Sequence, residues 1–144
     1  AGLSLQASDL ARFTAAFAAE VTRVVDPILL ERVLLTDGEL APGDFSLALA
    51  RQLSELVPWG QGFPEPIFEG LFGVRERRVV GEQHLKLKLE LPGGALIDAI
   101  AFNAVEAPWA ASAASIYAAY RLSVNEWNGK ESLQLMIEHA TAGV

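Results

Sequence analysis

The sequence predicts an α+β protein, with an N-terminal helical segment (two main helices and a short strand) followed by a five-stranded β-barrel. Three observations support this prediction. Apolar residues recur at helical spacing through most of the chain before residue 58. A stretch rich in glycine and proline then interrupts any regular element at residues 58–66. Beyond it, five segments have the short lengths and alternating polarity of β-strands.

Composition narrows the classes of protein to which the chain can belong. The 144 residues are 51% hydrophobic and 20% charged, so the chain can bury a core and does not have a disordered composition. Cysteine is absent, which excludes disulfides and thiolate metal sites and fits a cytoplasmic location. No apolar run approaches the roughly 18 residues that span a bilayer, so no membrane partner is expected. The net charge of −7 counts against strong autonomous binding to nucleic acid.

The first helix is predicted to begin at Ser8 as its N-cap and to end before Pro27. Its apolar residues recur three and four positions apart and so share one face: Leu10, Phe13, Phe17, Val21, Val24 and Val25. Residues 31–35 then read as a short strand, closed by Asp37-Gly38.

The second helix is predicted to begin at Asp44 as its N-cap and to end before Pro58. Its leucines are most simply core residues: Leu47, Leu49, Leu53 and Leu56. Asp37, Glu39 and Asp44 bring carboxylates together, but on a Gly/Pro loop without a nearby histidine. We therefore predict no metal site in this segment.

The stretch 58–66 is predicted to be a corner that connects two domains, residues 1–57 and 67–144. Glycine and proline forbid a regular element here, whereas Trp59 and Phe63 are unusual in a flexible linker. Aromatic side chains in such a turn indicate a rigid, packed corner. Two readings stay open, a corner that only joins the domains and one that also touches a ligand.

Five strands are predicted after the corner, at residues 67–80, 83–91, 95–103, 115–126 and 132–139. The second alternates almost perfectly, with leucines on one face and polar residues on the other. In the third, the core face is predicted to carry Leu96, Asp98, Ile100 and Phe102. Residues 104–114 form either a short helix or a loop. This order matches an OB-fold, a small Greek-key barrel, although spacing alone also permits other small barrels.

Positive charge is concentrated on the first two of these strands. Five basic residues lie within 14 positions, with His84 among them: Arg75, Arg77, Arg78, Lys86 and Lys88. Further candidates for a nucleic-acid contact lie on or after the fourth strand: Arg121, Asn125, Trp127 and Lys130. A basic groove with an aromatic platform is what single-stranded nucleic acid requires. The alternative is a solvated outer face, with Trp127 as a plug at the end of the barrel.

Four ordered blocks of sequence resemble the RecJ family of bacterial single-strand-specific DNA exonucleases. Residues 58–68, Pro-Trp-Gly-Gln-Gly-Phe-Pro-Glu-Pro-Ile-Phe, resemble its P-[FY]-G-x-G-N-P-E-P-x-F segment, with Phe63 where the family has Asn. Residues 79–87 resemble its VGxxHLKL block and residues 98–103 its DAIAFN block. Residues 120–129 resemble its YRLxxNEWxG block.

This resemblance implies a fold and a function. Residues 67–144 would be an OB-fold, and residues 1–57 would be the end of a DHH-associated domain. Ala1-Gly2-Leu3 is similar to the end of that domain's AAGL block, so the chain is expected to be a fragment.

The parent protein would be a 5′-to-3′ exonuclease of DNA repair and recombination that uses divalent metal ions, Mn²⁺ or Mg²⁺. Those ions would be held by a DHH domain whose motifs this sequence does not contain. No catalytic residue, metal ligand or cofactor is therefore assigned here, and the fragment alone is expected to be inactive. Its expected partner is single-stranded DNA.

A second hypothesis makes the barrel a scaffold or a protein-docking module, for example for a single-strand-binding protein. The acidic net charge favours it. A small independent enzyme is not supported, because no nucleophile, base or metal-ligand set converges in the sequence.

Overall fold

The computed structural model describes residues 2–31, 33–56 and 58–143. The helices and strands, in chain order, are α1 (Leu10–Val24), α2 (Leu47–Glu55), β1 (Phe68–Val80), β2 (His84–Glu90), β3 (Leu96–Ala101), β4 (Ser115–Trp127) and β5 (Lys130–Ala142). The chain divides into two compact units, an N-terminal unit of residues 1–34 and a barrel unit of residues 35–144. The domain limits predicted at residues 57 and 66 stay predictions. None of the described helices has the length and apolar character needed to cross a membrane.

In the N-terminal unit, α1 has the apolar face that its spacing predicts. The rings of Phe13 and Phe17 stack with their centroids 5.7 Å apart, and Arg23 donates to Glu20 on the polar side at 2.9 Å. The prediction of Ser8 as the N-cap is wrong. Ser8 lies in a 3₁₀ turn, Ala7–Asp9, which places Asp9 at the N-cap position without a side-chain hydrogen bond.

The short strand predicted at residues 31–35 is absent from the part of this stretch that the structure describes, and Arg32 lies outside that part. A 3₁₀ turn, Pro27–Leu30, precedes it, with the Asp26 carboxylate accepting from the backbone N–H of Ile28 at 3.1 Å. A strand is stable only beside a partner strand, and the barrel strands already pair with one another. Among the described residues of the segment between residue 33 and α2, one isolated bridge to the barrel is formed, from Glu39 to Glu69.

The N-cap of the second helix lies two residues later in the chain than predicted. Asp44 belongs to a 3₁₀ turn, Pro42–Asp44, and the Ser46 hydroxyl accepts from the backbone N–H of Leu49 at 3.1 Å. Ser46 is therefore the N-cap of α2, and the prediction of Asp44 is wrong. The helix buries Ala50 against the barrel core, to 1% exposure.

The five strands close into a barrel in the order β1-β2-β3-β5-β4. All pairs are antiparallel except β3–β5, which is parallel. The first half of β1 pairs with β4 and the second half with β2, and the change falls at Gly73. Between β3 and β4, residues 104–114 form turns without a helix. The predicted five-stranded OB-fold-like barrel is thus confirmed.

Aromatic residues fill the centre of the barrel unit. Phe72 meets Tyr120 edge-on with ring centroids 5.2 Å apart, and Phe45, from the segment before α2, stacks on Tyr120 at 6.0 Å. The leucines of β2 are buried on the same side. Burial raises the pKa of the Tyr120 phenol, so this side chain stays neutral in the folded protein.

The face predicted for β3 is the wrong one. The buried residues are Ile97, Ala99 and Ala101. Leu96 and Phe102 are exposed, and Asp98 and Ile100 are half-buried. Both faces of this strand are largely apolar, so alternation did not decide between them. The consequence for the site is that Asp98 points outward.

The Gly/Pro corner is an ordered turn. Gly60 and Phe63 exchange backbone hydrogen bonds at 2.9 and 3.0 Å. The Trp59 ring stacks on Phe63 at 5.0 Å and its indole N–H donates to the carbonyl of Leu53 at 2.7 Å. Glu65 forms an ion pair with Arg121 of β4 at 3.3 Å. The corner is therefore fixed both to the end of α2 and to the barrel.

Candidate nucleic-acid interface

A bulge in β1 decides which of its arginines faces outward. The register with β2 shifts between Val74 and Glu76, which reverses the alternation of side chains. After the shift Arg77 is opposite the buried Leu87, and Arg78 is opposite the outward-facing Lys86. Successive residues of a strand point to opposite faces, and the shift determines that Arg78, rather than Arg77, faces outward.

Arg78 and Lys86 form a like-charged pair on the outer face. They are direct cross-strand partners, and such partners have Cβ atoms about 5 Å apart. Among the described residues, no carboxylate lies within ion-pair distance of either side chain. Like charges directly opposite each other destabilise a sheet. A bound anion would remove that repulsion.

This pair lies at the centre of an open cleft that crosses the outer surface of the barrel. One part has a volume of about 550 Å³ and is lined by residues of all five strands: Arg78, Lys86, Asp98, Asn125, Trp127, Lys130 and Ser132. A second part of about 410 Å³ shares Arg78, Lys86 and Asp98 and is also lined by Glu76, Arg77, Leu87 and Lys88. We call the two parts together the basic cleft. It lies on the strand 2–3 face, beside the β4–β5 hairpin, where OB-folds bind oligonucleotides.

Trp127 stands at one end of the basic cleft, beside the β4–β5 hairpin. Asn128 and Gly129 have φ angles of 52° and 72°, and positive values at both central residues are what a type I′ turn requires. This tight turn makes Trp127 and Lys130 direct partners. The Trp127 side chain is 74% exposed, so it does not plug the barrel. It presents an aromatic surface next to a cation.

The centre of the basic cleft also holds one ion pair. Lys88 and Asp98 are cross-strand partners on β2 and β3, with the ammonium nitrogen 2.7 Å from a carboxylate oxygen. Sequence analysis missed this pair because it placed Asp98 in the core. It also missed Ser132, which the hairpin register places opposite Asn125. The Asn-Gly turn was a signal from which that register could have been predicted.

Four of the predicted contact residues are engaged elsewhere on the protein. Arg75 forms an ion pair with Glu90. Arg77 donates to the carbonyl oxygens of Ala111 (2.8 Å) and Ala113 in the loop after β3.

Arg121 forms ion pairs with Glu65 at 3.3 Å and with Glu138 at 3.1 Å. His84 Nδ1 accepts from the backbone N–H of Asn103 at 3.0 Å. None of these four residues lines the part of the cleft beside Trp127, whereas Arg77 lines the second part. Their contact with a nucleic acid stays a prediction.

Another tyrosine of β4 has acidic surroundings. Burial, followed by the charges of Glu69 and Glu39, raises the pKa of the Tyr117 phenol. This end of β4 therefore lies near carboxylates, whereas the end that carries Trp127 lies beside Arg78, Lys86 and Lys130.

The part of the chain that the structure describes offers no cluster of ligands for a metal ion. Its residues include no group of three or more His, Cys, Asp or Glu side chains able to hold a metal ion. We therefore derive no metal-dependent step from the residues of this chain.

The barrel topology and the position of the cleft define an OB-fold domain. The profile of one family, the RecJ OB domain, matches residues 36–139. The chain belongs to this family, which confirms the resemblance seen in the four sequence blocks.

Curated relatives agree with the family assignment. The single-stranded-DNA-specific exonuclease RecJ of Dickeya dadantii (strain 3937) is 47% identical over 141 residues, which cover 96% of this chain and 24% of that protein. The protein of the same name from Escherichia coli (strain K12) is 41% identical over 141 residues, with the same coverage. The chain thus spans about a quarter of the length of the curated relatives it matches.

Solved structures of RecJ proteins also agree with the family assignment. RecJ from Thermus thermophilus in complex with Mn²⁺ superposes with a TM-score of 0.77 and 26% identity, covering 99% of this chain and 20% of that one. The Mg²⁺ complex of RecJ from the same organism gives a TM-score of 0.73 and 25% identity, covering 95% and 21%.

Proposed function

We propose that the barrel unit holds single-stranded DNA for a RecJ-type exonuclease. The observation that carries this proposal is the Arg78–Lys86 pair, two opposed cations without a carboxylate partner in the described part of the chain, in a cleft that ends at an exposed tryptophan. Relatives named as single-stranded-DNA-specific exonucleases supply the class of ligand.

In the proposed mode of binding, cations contact the phosphates and an aromatic ring stacks on a base. Arg78, Lys86 and Lys130 bind phosphates, because each offers a cation in the basic cleft without an ion-pair partner among the described residues. Trp127 stacks on a base, and stacking tolerates any base because each one has a π-face. Binding of this kind is largely insensitive to sequence.

Hydrolysis itself is assigned to other parts of the whole protein. We propose that the whole protein cleaves phosphodiester bonds from the 5′ end in DNA repair and recombination, in the cytoplasm, and with divalent metal ions bound outside this chain. Residues 1–57 would belong to a DHH-associated domain and residues 67–144 to the OB-fold. In this scheme the barrel positions the strand, and the 144-residue chain alone has no nuclease activity.

Titration with oligo-dT tests the proposal, with the fluorescence of the chain's three tryptophans as the readout. Three phosphate contacts on a single strand give a log–log salt slope of about −2, which is a roughly 20-fold loss of affinity between 50 and 200 mM salt. A chain that does not bind at low salt, or binds equally well at both concentrations, would contradict the proposal.

Replacing Trp127 by alanine should weaken oligo-dT binding by about 5- to 150-fold, because one stacked base contributes about 1–3 kcal/mol. The salt slope should stay unchanged, since no cation is removed. Because the variant lacks the tryptophan of the cleft, the anisotropy of a dye-labelled oligo-dT measures its affinity. Phe63→Ala is the matched control, an exposed aromatic residue of the barrel unit that does not line the cleft. Equal affinities for Trp127→Ala and Phe63→Ala would show that Trp127 does not stack on DNA.

A second candidate function is protein docking, for example to a single-strand-binding protein. The observation that favours it is a set of exposed apolar side chains on the barrel, among them Leu71 (48% exposed), Leu96 (58%) and Phe102 (52%). Docking through an apolar surface should respond weakly to salt, whereas DNA in the basic cleft should be released steeply. The oligo-dT titration and a pull-down at two salt concentrations therefore separate the two functions.

A further inference from the structure

Asp98 places a negative charge inside the basic cleft. It lines both parts of the cleft, together with Arg78 and Lys86, whereas the other lining carboxylate, Glu76, lines only the second part. Its carboxylate lies 2.7 Å from the ammonium nitrogen of Lys88. An anion in either part of the cleft therefore meets Asp98, and finds Lys88 already paired.

Stability of the fold does not explain a carboxylate at this position. The side chains of Lys88 and Asp98 are 33% and 35% exposed, and ion pairs with this degree of contact with water contribute little to stability. Aspartate is also among the residues least favoured in strands, and Asp98 lies in the middle of β3. Threonine or asparagine would fit the same outward-facing position without the charge.

We infer that Asp98 competes with DNA phosphate for Lys88 and so limits the affinity of the cleft. This inference rests on the proposed function of the cleft as a DNA-holding site. An arriving phosphate takes Lys88 from Asp98, and a departing phosphate returns it. Each exchange replaces one ion pair by another, so the strand is held without a large cost of release.

Such a competitor suits a strand that has to move. A site that feeds DNA to a nuclease must release every phosphate that it binds, and release slows as affinity rises. Asp98 also repels the phosphates held by Arg78 and Lys86, because it lines the same cleft. Asp98 thus sets affinity and release rate, while Arg78, Lys86 and Lys130 provide the attraction.

Replacing Asp98 by asparagine (Asp98→Asn) tests the inference on the 144-residue chain with oligo-dT. Affinity should rise about fivefold at low salt, since Lys88 loses its ion pair with Asp98 and one repulsion is removed. Glu76, the cross-strand partner of Lys88 on β1, is then the remaining carboxylate beside it among the lining residues of the cleft. The salt slope should become steeper by about 0.7, the value for one more phosphate contact on a single strand. In stopped-flow measurements, dissociation should slow accordingly.

Glu90→Gln is the matched control. It raises the net charge by the same one unit and also frees a cation, Arg75, but neither residue lines the cleft beside Trp127. Its affinity should stay within about twofold of the wild-type value. If Asp98→Asn fails to fold, as judged by circular dichroism, Asp98→Thr replaces it because threonine is favoured in strands.

The outcomes separate this inference from the function on which it rests. If the wild type binds oligo-dT in a salt-dependent way but Asp98→Asn and Asp98→Thr bind equally or more weakly, the inference is overturned and the function stands. A weaker variant would instead make Asp98 an acceptor for base N–H groups. If the wild type does not bind at all, the function fails and the inference falls with it.

Discussion

Replacing Arg78 and Lys86 together by alanine should lower the affinity for oligo-dT by about 30-fold or more at low salt. Each of the two replacements removes one charge-assisted contact to phosphate, and one such contact commonly changes the affinity by about a factor of ten. The two residues are cross-strand partners, so their effects will not add simply. The salt slope should fall by about 1.4, which corresponds to two phosphates. Fluorescence titration at several salt concentrations measures both quantities.

The same double variant should be slightly more stable than the wild type. Removing two like charges that face each other across β1 and β2 should stabilise the barrel by about 0.2–1 kcal/mol. Thermal unfolding without DNA measures this change. A loss of binding with a gain of stability identifies residues kept for a ligand, and a loss of both would point to a structural role.

Arg12→Ala with Arg23→Ala provides the charge-matched control for this experiment. Both arginines lie on α1, with carboxylate partners in Asp9 and Glu20. The control removes the same two positive charges, so it corrects for the effect of net charge on DNA binding. If it weakens binding as much as the cleft variant does, the contribution of Arg78 and Lys86 is not specific.

Replacing Phe72 by alanine should destabilise the barrel unit by about 3–5 kcal/mol, the usual cost of truncating a buried phenylalanine. Phe72 is 1% exposed and contacts both Tyr120 and Phe45 edge-on. The variant therefore leaves a cavity between the strands and the segment before α2. Denaturant unfolding followed by circular dichroism measures the change in the free energy of unfolding.

Leu71→Ala is the control for the Phe72 variant. Leu71 is the neighbouring residue on the same strand, but it points to the other face and is 48% exposed. Its replacement should cost much less, about 1 kcal/mol. Similar losses for the two variants would mean that Phe72 is not at the centre of the core.

The barrel could be predicted from the sequence because β2 alternates without ambiguity. Its leucines are buried and its polar residues face outward, which fixed the inner and outer faces of one strand. In β3 both faces carry apolar residues, so alternation favoured the wrong one and hid the position of Asp98. Where two faces are equally apolar, the choice is made by neighbouring strands rather than by the strand itself.

The candidate site could be predicted only in part. A cluster of basic residues was visible, but the bulge in β1 that turns Arg78 outward and Arg77 inward leaves no mark in the sequence. The contacts of Arg77 with the loop after β3 span more than 30 residues and depend on the closed barrel. The N-cap of α2 was missed for a local reason, because Asp44 and Ser46 are both good caps and Pro42 draws Asp44 into a turn.

The closed order of the strands restricts how any partner can be recruited. A sheet with an open edge offers a row of free N–H and C=O groups, to which an extended peptide can add as a further strand. In the described part of the chain, each barrel strand has a neighbour on both sides, although residues 121–127 of β4 pair with β5 alone. Most backbone groups of the barrel are therefore already paired, and a ligand is recognised mainly through side chains on the outer face. The same closure limits edge-to-edge association, so we expect a concentrated solution of the folded chain to form few strand-paired aggregates.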